Sequence, residues 1–65
     1  MTVNNTLEMR ILLEALELHF SIEGDYLTLN CSKNELVYAI NSAGEDIQYI
    51  YGLTREWKKL TQLYQ

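Results

Sequence analysis

The chain has 65 residues, a net charge of -4, 48% hydrophobic residues, one cysteine and no proline. That length allows one small domain that buries roughly 60% of its unfolded surface, with about 3–5 kcal/mol of stability and little room for a buried catalytic apparatus. The apolar content argues against disorder, no apolar run approaches the ~18 residues of a membrane span, and the lone Cys31 precludes an internal disulfide, so the expectation is a cytoplasmic domain with neither leader nor membrane segment.

The first helix is predicted over 5–15. Asn5 serves as its cap and Glu8, three residues on, closes a capping box. Met9, Leu12, Leu13 and Leu16 recur at helical spacing and form the inward stripe, with Leu7 and Ile11 as a second apolar strip. Within "LELHFSIEGDYLTLNC" the period then changes to two, which predicts strands over 16–23 and 26–31. Gly24 and Asp25 form a two-residue turn, with glycine first as a type II′ turn requires. In that register Ile22 faces Leu27, Phe20 faces Leu29 and Leu18 faces Cys31. Glu23, Ser21 and His19 meet Tyr26, Thr28 and Asn30 on a wet face. A slip of one residue destroys the match.

Ser32 and Glu35 make a second capping box, opening a helix over 33–42 with Leu36, Val37, Ala39 and Ile40 inward. Gly44 ends it. The last helical stretch, 45–64, carries Ile50, Leu53, Trp57, Leu60 and Tyr64 at helical spacing, and Gly52 predicts a break near 52–54. The order is αββαα: an α+β domain with one hairpin packed on three short helices. A two-stranded hairpin is marginal alone, and its outer edge is expected to stand open.

Catalytic and metal chemistry find no support. His19 is the single histidine and falls on the wet face without partner ligands. Cys31 is expected to face the core as an inert thiol. Three scattered glycines build no phosphate loop, so no cofactor is expected. Residues 32–52 superficially suggest a helix-turn-helix, the signature of a transcription regulator. Yet residues 45–53 hold two acids and no base, and the body over 1–54 sets eight acids against Arg10 and Lys33. Such a surface repels phosphate backbones and favours basic partners. Arg55, Lys58 and Lys59 read as a solvated helix end. Five tyrosines exceed what so small a core can bury, which favours a protein-binding surface.

The order of "LLEAL", "LHFSIEGDYLTLNC", "ELVYAI" and "DIQYIYGL", over roughly residues 9–53, resembles the TubC-type (β-hairpin) N-terminal docking domains of nonribosomal peptide synthetases and polyketide hybrids. Rhabdopeptide-type systems are a narrower home within them. The strand-to-helix segment "NCSKNEL" is shorter than the family's and lacks its proline and glycine, keeping Lys33. The resemblance implies a non-catalytic module that binds the C-terminal tail of an upstream synthetase subunit by strand addition. By position, Tyr26, Leu27, Thr28, Leu29, Asn30 and Cys31 would be the pairing edge, with Ser32 and Lys33 available to a carboxylate. The domain itself would be a monomer or weak homodimer. A free-standing regulatory or inhibitor protein is the competing expectation.

Overall fold

In a computed structural model, residues 1–64 are described. Three strands and four helices follow one another as β1 (Thr2–Asn4), α1 (Leu7–Ala15), β2 (Phe20–Glu23), β3 (Tyr26–Leu29), α2 (Lys33–Ala43), α3 (Ile47–Ile50) and α4 (Thr54–Gln62). The α+β class expected from periodicity is present. Its count differs: a three-stranded antiparallel sheet stands in place of a lone hairpin, and four helices in place of three.

The hairpin has the expected register. Phe20 pairs with Leu29, Ser21 with Thr28, Ile22 with Leu27 and Glu23 with Tyr26. Gly24 has φ +61 while Asp25 does not have a positive φ, the combination of a type II′ turn. Apolar cross-strand matching and a local turn suffice for this register, because both act within a dozen residues.

Both strands are shorter than expected. The alternation over 16–19 belongs to the end of α1. Leu16 is the last buried residue of the helix stripe. Glu17 then turns left-handed at φ 59; its N–H donates to the Glu14 carbonyl at 3.0 Å, and the Leu18 N–H donates to the Leu13 carbonyl at 2.9 Å. This is a Schellman closure, with Leu18 packed on the core just beyond the helix. Leu16 and Leu18 are thus inward for a helix-end reason, and a period of two arises by coincidence. The second strand stops at Leu29, although the Asn30 N–H still reaches the His19 carbonyl at 2.9 Å. Leu18 and Cys31 are not a strand pair; each packs separately against the core.

The cap of α1 is Thr6, not Asn5. Thr6 Oγ1 accepts the Met9 N–H at 3.1 Å, whereas Asn5 Nδ2 donates to the Gly24 carbonyl at 2.9 Å and the Asn5 N–H to the Asp25 carbonyl at 2.9 Å. Asn5 therefore ties the N-terminal strand to the hairpin turn. At α2 the expected capping box is complete: Ser32 Oγ accepts the Glu35 N–H at 3.2 Å, and Glu35 Oε1 accepts the Ser32 N–H at 3.4 Å. The expected break after α3 occurs at Gly52, φ +65, where the Leu53 N–H closes onto the Gln48 carbonyl at 2.7 Å.

Val3, Leu27 and Leu29 present one sheet face to the helices, against Met9, Leu12, Leu13, Leu36, Ile40, Leu53, Trp57 and Leu60. Each of these residues sits at the spacing its element demands. The opposite face, with Ser21, Glu23, Tyr26 and Thr28, has no helix over it and is laced by Thr28 Oγ1 donating to Glu23 Oε2 at 2.9 Å and Asn30 Nδ2 to Ser21 Oγ at 2.9 Å. The second apolar strip of α1 finds no neighbour: Leu7 and Ile11 stay exposed.

Candidate functional site

The strand expected to offer an open edge lies in the middle of the sheet. The order is β1-β3-β2, with Thr2 opposite Thr28, Val3 opposite Leu27 and Asn4 opposite Tyr26. An antiparallel strand points alternate residues' main-chain groups to opposite neighbours. Tyr26, Thr28 and Asn30 therefore bond to β2, and the Asn30 contact to His19 marks that phase. Leu27 and Leu29 bond to the N-terminal segment, as the Leu29 N–H to the Met1 carbonyl at 2.8 Å shows. The chain's own β1 thus fills the edge that residues 26–31 were expected to give a partner. Leu27 and Leu29 are core residues, while Tyr26 lies exposed on the bare face. Ser32 Oγ and the start of α2 are already engaged by Glu35, so a carboxylate approaching Lys33 there meets a negative charge.

The open edge belongs to β2. Ser21 and Glu23 direct their main-chain groups to β3, so the N–H and C=O of Phe20 and of Ile22 point away from the sheet. Among the described residues no protein group hydrogen-bonds them. The side chains of Phe20 and Ile22 share the helix-side face with Leu29 and Leu27. Phe20 packs on the core, but Ile22, outside the core cluster, remains 58% exposed. The other edge, on β1, is only three residues long, and its Asn4 carbonyl is taken by the Thr6 N–H at 3.1 Å.

Beside the start of β2 a groove of about 610 Å³ runs between the α1–β2 turn and α2. Leu18, Ala39 and Tyr38 line it, with Glu17 and Glu35 as its charged groups. Tyr38, Tyr49 and Tyr51 are exposed with Tyr26, in keeping with more tyrosine than the core can hold. Cys31 is half-buried; burial, and secondarily the Glu35 charge, raise its pKa above the usual thiol value, with the N-terminal amine opposing. His19 is exposed, and among the described residues no group of three metal-ligating side chains assembles. The second member of the helix-turn-helix expectation, α3, is a single turn of four residues.

Phe20 and Ile22, expected from the register to lie on the buried face opposite Leu29 and Leu27, are also the residues of the open edge. Their outward main chain follows from the hairpin register, but its availability depends on which side β1 takes.

No helix is long and apolar enough to cross a membrane among the described residues. No protein-family model, curated protein or solved structure matches the chain.

Proposed function

We propose that this chain is a non-catalytic, cytoplasmic docking module that takes up the C-terminal tail of an upstream synthetase subunit as an added β-strand, ordering subunits in nonribosomal peptide biosynthesis. The observation that carries the reading is the unpaired main chain of Phe20 and Ile22 on β2, next to an exposed Ile22 and an acidic groove. The receiving edge is β2 rather than the strand first expected. An added strand gains main-chain hydrogen bonds for affinity, and alternate side chains supply specificity. The acidic body favours lysine or arginine in the tail just before its strand. Ordering a disordered tail offsets several kcal/mol of the gain, so affinity near micromolar, about -8 kcal/mol, is expected.

Titrating the isotopically labelled domain with synthetic C-terminal tails of synthetase subunits tests this. The amides of Phe20 and Ile22 should move most, and Ile22→Pro should abolish binding while the domain stays folded, because the deleted N–H faces outward. Shifts concentrated over residues 55–64 with a silent β2 would refute strand addition at this edge.

A further inference from the structure

The β2 edge is complementary to itself. In an antiparallel pair only residues whose main-chain groups point outward can exchange hydrogen bonds, and on β2 these are Phe20 and Ile22. Two copies related by a two-fold axis have few registers available. Placing Ile22 opposite Ile22 drives Phe20 against the turn residue Gly24. Placing Phe20 opposite Phe20 drives Ile22 against Leu18, which lies before the strand begins. Only one register uses every outward group within β2: Phe20 of one copy opposite Ile22 of the second, and the reverse, with the two Ser21 residues facing at the axis.

That register also satisfies the side chains. On the helix-side face, Phe20 meets the second copy's Ile22 twice, so the exposed Ile22 side chain gains an aromatic neighbour. On the bare face, His19 of each copy falls opposite Glu23 of the other, an imidazole against a carboxylate. The exposure of Ile22 leaves this end of the edge clear for the second copy. β2 carries no lysine, no proline and no bulge that would keep another strand away, and its one charge, Glu23, is the group this register sets opposite His19.

We infer that two copies of the chain associate through their β2 edges, forming a continuous six-stranded sheet ordered β1-β3-β2-β2-β3-β1, with Phe20 paired to Ile22 and His19 to Glu23 across the two-fold axis. The dimer needs only the β2 edge and the adjoining His19, whose carbonyl accepts the Asn30 N–H, and stands whether or not a synthetase tail uses the same edge. If a tail does, it competes with the second copy.

The experiment is amide hydrogen exchange on the full chain from micromolar to millimolar concentration, alongside sedimentation equilibrium. The amides of Phe20 and Ile22 should exchange freely in dilute solution and become protected as the dimer forms. Those of Leu27 and Leu29 should stay protected throughout. His19→Glu sets two carboxylates opposite each other twice and should weaken association by about fivefold. His19→Lys should tighten it, and Ile22→Lys should weaken it about tenfold or more. His19 is exposed, so its substitutions leave the monomer folded should Ile22→Lys fail. A chain that stays monomeric to millimolar concentration with Phe20 and Ile22 unprotected overturns the inference. So does a dimer indifferent to His19→Glu and Ile22→Lys. A synthetase tail that binds elsewhere ends the strand-addition reading at this edge while leaving the dimer result untouched.

Discussion

Replacing Glu17 with glycine should make the protein more stable. Glu17 is, among the described residues, the one non-glycine position with positive φ, at 59. It closes α1 through its own N–H to Glu14 at 3.0 Å and the following Leu18 N–H to Leu13 at 2.9 Å. Holding an L-residue left-handed costs about 1–2 kcal/mol. Glycine's greater freedom in the unfolded chain offsets roughly 0.4–1 kcal/mol of the relief. Removing a carboxylate beside the negative end of the helix adds about 0.3 kcal/mol. Glu17 is exposed, so no packing is lost. The net expectation is a gain of about 1 kcal/mol, read as a rise in Tm of roughly 4–8 °C for a domain of this size. Thermal and urea unfolding followed by circular dichroism measure it. Glu17→Ala is the control: it removes the charge and keeps the strain, so it should shift stability by only about 0.3 kcal/mol. A glycine variant no more stable than the alanine one would refute the strain argument and with it the helix-end account of residues 16–18.

Thr6→Ala should cost about 1 kcal/mol by removing the cap bond to Met9 and fraying the first turn of α1. Asn5→Ala should leave α1 helicity unchanged but speed amide exchange at Asp25 and Tyr26, since Asn5 holds the hairpin turn. Gly52→Ala meets no atom within 4 Å yet must keep φ +65, so a loss of about 1 kcal/mol in denaturant unfolding is expected from backbone strain alone. Cys31 should react with a thiol reagent more slowly than an unfolded control at neutral pH, because burial first and Glu35 second raise its pKa and lower the thiolate fraction; urea should erase the difference. Thr28→Pro should unfold the sheet, because its N–H bonds inward to β2, whereas Ile22→Pro should not.

The features legible in the sequence are local. The register across Gly24 and Asp25, the box between Ser32 and Glu35 and the stop at Gly52 each depend on groups a few residues apart, whose geometry the backbone constrains directly. The stripe of Met9, Leu12, Leu13 and Leu16 was equally legible, because a 3.6-residue period identifies one buried face. Alternation at Leu16 and Leu18 misled for a related reason: a helix closure and a strand both turn every second side chain inward over so short a run. What tertiary structure alone decided is the allocation of edges. Thr2, Val3 and Asn4 are too few to carry a period, and Val3 meets Leu27 across the whole of α1 and β2. Pairing β1 with β3 closes the edge that residues 26–31 first suggested, engages Asn5 with the turn rather than the helix, and leaves Phe20 and Ile22 as the open ladder. That choice follows from burying Val3 against Leu27 on the helix-side face, a contact between segments distant in sequence that no local pattern encodes.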